Sequence, residues 1–167
     1  YTTLFRSETD ILKQICHTLN QLPEGMPFFK KSLKIAADRI ALMENNKVDW
    51  AMAEQLAYAS LIVEGHPVRL SGQDSVRGTF SHRHSAMVME DSETRYYPMH
   101  QLRDRKAEFT VYNSLLSEYG VLGFEYGYSL SNPNGLTLWE AQFGDFNNVA
   151  QPMIDQYLVS AEEKWGV

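Results

Sequence analysis

His66-Pro-Val-Arg-Leu-Ser71 runs straight into Gly72-Gln-Asp-Ser-Val-Arg-Gly-Thr-Phe-Ser-His-Arg-His-Ser85. The first six residues read as a short buried strand, and the rest as a polar loop punctuated by glycine. The same grammar returns twice downstream. Phe109-Thr-Val-Tyr112 has the β-branched and aromatic content of a strand, and Leu116-Ser-Glu-Tyr-Gly-Val-Leu-Gly-Phe-Glu-Tyr-Gly127 follows it. Leu136-Thr-Leu-Trp139 is a third strand, running into Glu-Ala-Gln-Phe-Gly-Asp-Phe146. Between the second and third strands, Glu118 to Leu130 reads as a helix, closed by the turn Asn132-Pro-Asn-Gly135. Strands that alternate with helices imply an α/β fold with a mostly parallel sheet and helices on both faces. In such a sheet the loops after the strands gather at one edge, and ligands bind there.

Working outward, three helical patterns precede this unit. Glu8 to Leu22 carries Ile11, Leu12, Ile15, Cys16 and Leu19 at helical spacing. Pro23-Glu-Gly-Met-Pro27 interrupts it, and Leu33, Ala36, Ala37, Ile40 and Met43 mark a second helix. Asp49 is a fair N-cap for a third, Trp50 to Glu64, with Gly65 as its stop. Trp50, Ala53, Leu56, Ala57, Ser60 and Leu61 form its expected packing face. Glu90-Asp-Ser-Glu-Thr94 reads as a solvated turn, and Asn147 to Ser160 as a closing helix with Ile154, Tyr157 and Leu158 on one face.

Composition sets outer limits. The 167 residues, 44% apolar and 22% charged, suit one globular domain with its own core. A net charge of -6 leaves no basic stripe to neutralise phosphates, which argues against nucleic acid. No apolar run approaches the ~20 residues that span a bilayer, and nothing reads as a signal or transit peptide. The one cysteine, Cys16, forms no internal disulfide and suits a reducing compartment. The chain begins at Tyr1 and stops at Trp165-Gly-Val167. Both ends suggest a piece of a larger functional unit.

Several side chains in the three loops are suited to chemistry. Glu118 opens a helix whose next turns hold Gly120 and Gly123. Each glycine costs a helix about 1 kcal/mol against alanine, with close approach of a backbone or ligand as the usual return. An acid at a helix start also favours the dipole by ~0.3–1 kcal/mol, so the residue has a purely structural explanation too. His82 and His84 have metal-ligand spacing, but no third or fourth ligand accompanies them, so no metal site is expected. They read either as surface histidines or as groups for proton transfer and oxyanion stabilisation. Arg77 and Arg83 beside them favour an acidic or phosphate-bearing ligand. Phe143, Phe146 and Tyr126 either fill core or offer a ring to stack on a flat heterocycle. Gln142 and Asp145 supply polar handles. No GxGxxG, Walker A or G-x-S-x-G motif occurs.

At these blocks the sequence resembles the thiamine-diphosphate-dependent first component of the 2-oxoglutarate dehydrogenase complex. The matching text is Val48-Asp-Trp-Ala-Met-Ala-Glu54, Val68-Arg-Leu-Ser-Gly-Gln-Asp-Ser75, Arg77-Gly-Thr-Phe-Ser-His-Arg-His84, Val121-Leu-Gly-Phe-Glu-Tyr-Gly-Tyr128 and Trp139-Glu-Ala-Gln-Phe-Gly-Asp-Phe146. It covers roughly residues 20 to 166. The resemblance implies a three-layer, transketolase-like pyrimidine-binding domain over 47–167, with 1–46 as a helical lead-in. It implies thiamine diphosphate as cofactor, with Mg2+ held by a domain outside this chain. Partners implied are a second copy in a homodimer, a lipoyl-bearing succinyltransferase component and a small 2-oxo acid substrate, with no nucleic acid or membrane. The setting implied is the bacterial cytoplasm, or the mitochondrial matrix in a eukaryote.

Residue by residue, Glu118 matches the family's glutamate that hydrogen-bonds a ring nitrogen of the aminopyrimidine and favours its imino tautomer. The resemblance places it in a buried aromatic pocket. Phe143 or Phe146 matches the ring stacked on the pyrimidine, with Gln142 and Asp145 nearby. His84 and His82 match histidines on the substrate side, there to stabilise negative charge. Gln73 and Asp74 match the pocket edge. The isolated chain is expected to be inactive. A sister enzyme acting on 2-oxoadipate is the nearest alternative, and a stand-alone interaction module a more distant one. The helix Trp50 to Leu61 is expected to serve as a dimer face.

Overall fold

Three parallel strands level at their C-terminal ends organise the part of the molecule that carries the loops. β1 (Val68–Gly72) is central, with β4 (Phe109–Asn113) on one side and β5 (Leu136–Glu140) on the other. Gly72 pairs with Asn113 and with Glu140, so the next residue of each strand leaves the sheet at the same height. The computed structural model describes residues 7–103 and 105–166.

The chain divides into two compact units, Tyr1–Gly65 with His84–Glu108, and His66–Arg83 with Phe109–Val167. In the second unit, Val68, Leu70, Phe109 and Val111 are buried. α4 (Glu118–Ser131) packs on β5 and β1. Leu122 of α4 joins Ala150 and Met153 in one apolar cluster, with Trp139 and Ile154 against it. The α/β class with a parallel sheet is therefore as the sequence implied.

The first unit is built from α1 (Thr9–Asn20), α2 (Lys30–Glu44) and α3 (Trp50–Glu64), together with a two-stranded antiparallel ladder. That ladder pairs β2 (Met87–Val88) with β3 (Arg95–Tyr96), and the turn read at Glu90 to Thr94 connects them. Phe28, Met87, Met89 and Tyr96 form its core, with Phe28 and Tyr96 edge to face at 5.4 Å. Burial pushes the Tyr96 hydroxyl pKa up. α1 packs on α2 and α3. Its thiol, Cys16, is 1% exposed, and burial raises its pKa. The neutral thiol is favoured, so Cys16 should resist a disulfide reagent at pH 8 until the chain is unfolded. Native-state modification at the rate of a free thiol would contradict this packing.

α3 is capped as its sequence says. The Asp49 carboxylate accepts the Met52 N–H at 2.8 Å, and Gly65 stops the helix at φ 104. Its packing face is not the expected one. The buried side chains are Met52, Gln55, Leu56, Tyr58, Ala59 and Ile62, while Trp50 is 91% exposed. Of the expected face only Leu56 is buried. The helix is apolar nearly all round, so periodicity carries no preference for one side.

The closing segment also departs from expectation. In place of one helix from Asn147 to Ser160, a 3-10 stretch over Gln142–Ala150 gives way to a single α-turn at Gln151–Met153 and a π-turn at Ile154–Leu158. Five more helical residues follow, Ala161–Trp165. Pro152 has no N–H to donate and fits only in the first turn of a helix, which is where it sits. Ala150, Met153 and Ala161 are buried, whereas Tyr157 and Leu158 are exposed.

Candidate active site

Each strand end delivers one wall of a shallow cleft. Gln73 follows β1, Ser114 and Leu115 follow β4, and Ala141 and Gln142 follow β5; Glu118, Trp139 and Glu140 complete the lining. This is the edge at which open α/β sheets bind ligands. Glu118 is the first residue of α4 and is half-buried. Its Oε1 accepts a hydrogen bond from Gln73 Nε2 at 2.6 Å. The full burial implied for this carboxylate is therefore not seen; one side of its site is open.

A second bond ties the loop after β5 to the loop after β1, with Gln142 Nε2 donating to Asp74 Oδ2 at 3.0 Å. Asp74 also lies 3.7 Å from Arg77. Phe143 is 56% exposed and meets Phe80 edge to face at 5.6 Å. Phe146 is 44% exposed. The Asp145 side chain lies outside the described residues. The structure thus joins Gln73 with Glu118 and Asp74 with Gln142, and leaves both phenylalanines about half exposed. His82 lies in the same unit, its ring 2.5 Å from where a Cβ on Gly78 would sit. His84 opens the second segment of the other unit.

Backbone strain concentrates in these blocks. Among the described residues, five non-glycine positions have positive φ, and four of them are Asp74, Ser81, His84 and Phe143. Such conformations cost roughly 1–3 kcal/mol each and persist where surrounding structure imposes them, commonly at functional sites. Here the imposing bonds are visible. Gly78 N–H donates to Asp74 O at 2.7 Å, Ser81 N–H to Gly78 O at 2.9 Å, and Val76 N–H to the Asn113 side chain at 3.0 Å. At Gly72 a Cβ would stand 2.3 Å from the backbone oxygen of Glu140. Gly72→Ala should therefore push β5 away from β1 and cost about 1–3 kcal/mol, read as a lowered unfolding midpoint.

Two ion pairs were not legible in the residue spacing. Arg83 is 3% exposed; it donates through Nη1 to Ser75 O at 2.8 Å and through Nη2 to Glu140 Oε2. Its charge is neutralised within the protein, which corrects the expectation that it greets an acidic ligand. Arg77, half exposed, remains available for that. The second pair is Arg69 and Glu125, a two-pronged bridge at 2.7 and 2.9 Å. These bonds to the carboxylate raise the pKa of Arg69. Tyr112, Phe124 and Tyr128 surround its guanidinium at 4.7 to 5.3 Å. Strand parity was the one available signal, since Arg69 alternates with apolar Val68 and Leu70. The glycines of α4 also behave unequally. A Cβ at Gly123 would meet the Met153 side chain at 3.3 Å, but one at Gly127 would meet nothing within 4 Å.

The residues present fit the pyrimidine end of thiamine diphosphate. A carboxylate at a helix start, an amide beside it and an uncovered ring are an acceptor, a donor and a stacking surface for a flat aminoheterocycle. Among the described residues no three His, Cys, Asp or Glu side chains cluster as a metal site. No helix there is long and apolar enough to cross a membrane.

A carboxylate-bearing crevice beyond a parallel sheet defines a class that sequence comparison makes specific. The profile of the transketolase pyrimidine-binding domain matches residues 46–167, and the chain belongs to that family. It is 54% identical over 158 residues to the 2-oxoglutarate dehydrogenase E1 component of Oceanobacillus iheyensis, covering 93% of this chain and 16% of that protein. To the Bacillus cereus protein of the same name it is 49% identical over 160 residues, covering 95% of this chain and 17% of the relative. A Bacillus anthracis protein of that name matches to the same extent. The chain thus spans about one sixth of the length of these relatives.

Proposed function

We propose that this chain is the pyrimidine-binding part of a thiamine-diphosphate-dependent 2-oxoglutarate dehydrogenase, and that the cleft around Glu118 receives the aminopyrimidine. The observation that carries the reading is the half-buried Glu118 carboxylate at the start of α4, held by Gln73 and open on one side. The relatives' shared name supports the substrate.

When bound, the cofactor supplies the electron sink that decarboxylation of a 2-oxo acid requires. Glu118 holds the heterocycle by a hydrogen bond to a ring nitrogen and so controls where its proton resides. Gln73, donating to the same carboxylate, fixes its orientation. Phe143 offers its exposed face for stacking, with Phe146 as the second ring. Gln142 and Asp74 shape the rim. His82 and His84 serve the substrate side, where an imidazole N–H stabilises developing negative charge. Mg2+ and the diphosphate belong to a domain outside this chain. The whole enzyme is a homodimer that passes a succinyl group to a lipoyl-bearing succinyltransferase. Relatives from bacteria support a bacterial cytoplasmic setting.

The test is decarboxylation by the full-length protein with an artificial electron acceptor, with and without thiamine diphosphate and Mg2+. Cofactor-dependent turnover of 2-oxoglutarate ahead of 2-oxoadipate is expected, and none from the isolated chain. A preference for 2-oxoadipate would move the substrate assignment, and no turnover of any 2-oxo acid would overturn the reading.

A further inference from the structure

Glu118 sits where a helix is least secure. It is the first residue of α4, no side chain caps that end, and Gly120, Gly123 and Gly127 weaken the turns behind it. Something must fix the height and rotation of this helix if the carboxylate is to meet a ring nitrogen. Apolar packing through Leu122 is non-directional and does little to oppose a small rotation.

We propose that Arg69 and Glu125 are positioning residues for Glu118, locking α4 onto β1 in one rotation and one register. This inference rests on the role proposed for Glu118. On β1, residues 69 and 71 share a face, and Gln73 is the first residue beyond the strand. On α4, Glu118, Leu122 and Glu125 share a face at i, i+4 and i+7. Strand and helix are thereby joined by two rungs. The upper is Gln73 to Glu118 at 2.6 Å, and the lower is the Arg69 fork on Glu125 at 2.7 and 2.9 Å. Along α4 the two rungs stand seven residues apart, a rise of ~10.5 Å.

The lower rung is directional. A planar guanidinium with both prongs on one carboxylate fixes angle as well as distance. Phe124 and Tyr128, from the same helix, flank it, and Tyr112 approaches from β4. The pair is also shielded, with side chains 17% and 4% exposed, so salt screens it little. A rotation of α4 by one residue would break the fork and both ring contacts from α4 together. The active carboxylate, two turns away on the same face, inherits that precision.

The test uses the full-length enzyme loaded with thiamine diphosphate and compares Arg69→Lys, Glu125→Gln and Glu118→Gln. The readout is hydrogen–deuterium exchange at the thiazolium carbon of the bound cofactor, with cofactor affinity measured separately. Arg69→Lys and Glu125→Gln are expected to slow exchange roughly 10–100-fold while the cofactor still binds. Slowed exchange in Glu118→Gln together with normal exchange in the pair variants would overturn this inference alone. Normal exchange in Glu118→Gln would overturn the underlying role, and the inference with it. If the single variants do not fold, Arg69→Met/Glu125→Leu removes the fork without stranding a charge. Slow exchange there supports positioning, and wild-type exchange refutes it.

Discussion

Glu118→Gln in the full-length enzyme should lower the rate of 2-oxoglutarate decarboxylation by about 10²–10⁴-fold, the span that a positioned acid–base group contributes. The substitution keeps the shape of the side chain and its place beside Gln73, but replaces one carboxylate oxygen with an amide donor. Two amides would then face each other where Gln73 now donates to a carboxylate at 2.6 Å. They can still pair, so the fold of the cleft should survive. What is lost is the anionic acceptor on the open side. Cofactor affinity should fall much less than turnover, because the stacking ring and the diphosphate site are untouched. The check is kcat at saturating thiamine diphosphate and Mg2+, beside a binding titration. Near-normal kcat would reduce Glu118 to a helix-start acid.

The second large effect concerns stability. Glu125→Leu should destabilise the chain by about 3–5 kcal/mol, because it leaves the Arg69 guanidinium in an aromatic surround without its carboxylate. That is a large share of the ~5–15 kcal/mol that typically holds a domain together. The Arg69→Met/Glu125→Leu double variant should recover most of the loss, since apolar groups of similar volume tolerate burial well. Denaturant midpoints of the three proteins decide it. A single variant as stable as wild type would mean that the arginine swings out to water and that the pair is dispensable.

Much of the frame follows from local rules. Asp49 and Gly65 bracket α3 because a carboxylate accepting an end N–H and a residue free to take positive φ are local needs, met by local residues. The strands at Phe109 and Leu136 begin at the residues expected, while the first begins at Val68, two residues inside the stretch read as a strand from His66. The burial of α3 was illegible for the opposite reason: a helix apolar on every side packs on whichever face its neighbours present. The closing segment failed as a single helix where Pro152, with no N–H to donate, falls inside it and starts a new turn.

The candidate site divides in the same way. Glu118, Gln73, Asp74, Gln142 and the phenylalanines were legible as chemical types in loops after strands, and family resemblance gave them roles. Their pairing was not, because Gln73 and Glu118 are 45 residues apart and meet only once β1 and α4 lie side by side. Arg83 shows the limit most plainly. As a residue between two histidines it reads as a ligand contact; with Glu140 across the sheet it is an internal ion pair. The sequence by itself determined the three parallel strands, the helix between the second and third, the caps of α3, and which family's cofactor chemistry the loops can serve, since residue patterns, capping and motif wording are properties of neighbours along the chain. Only the tertiary structure decided which charges cancel, which helix face is buried, and which carboxylate is left with an open side, because those depend on partners brought together through space.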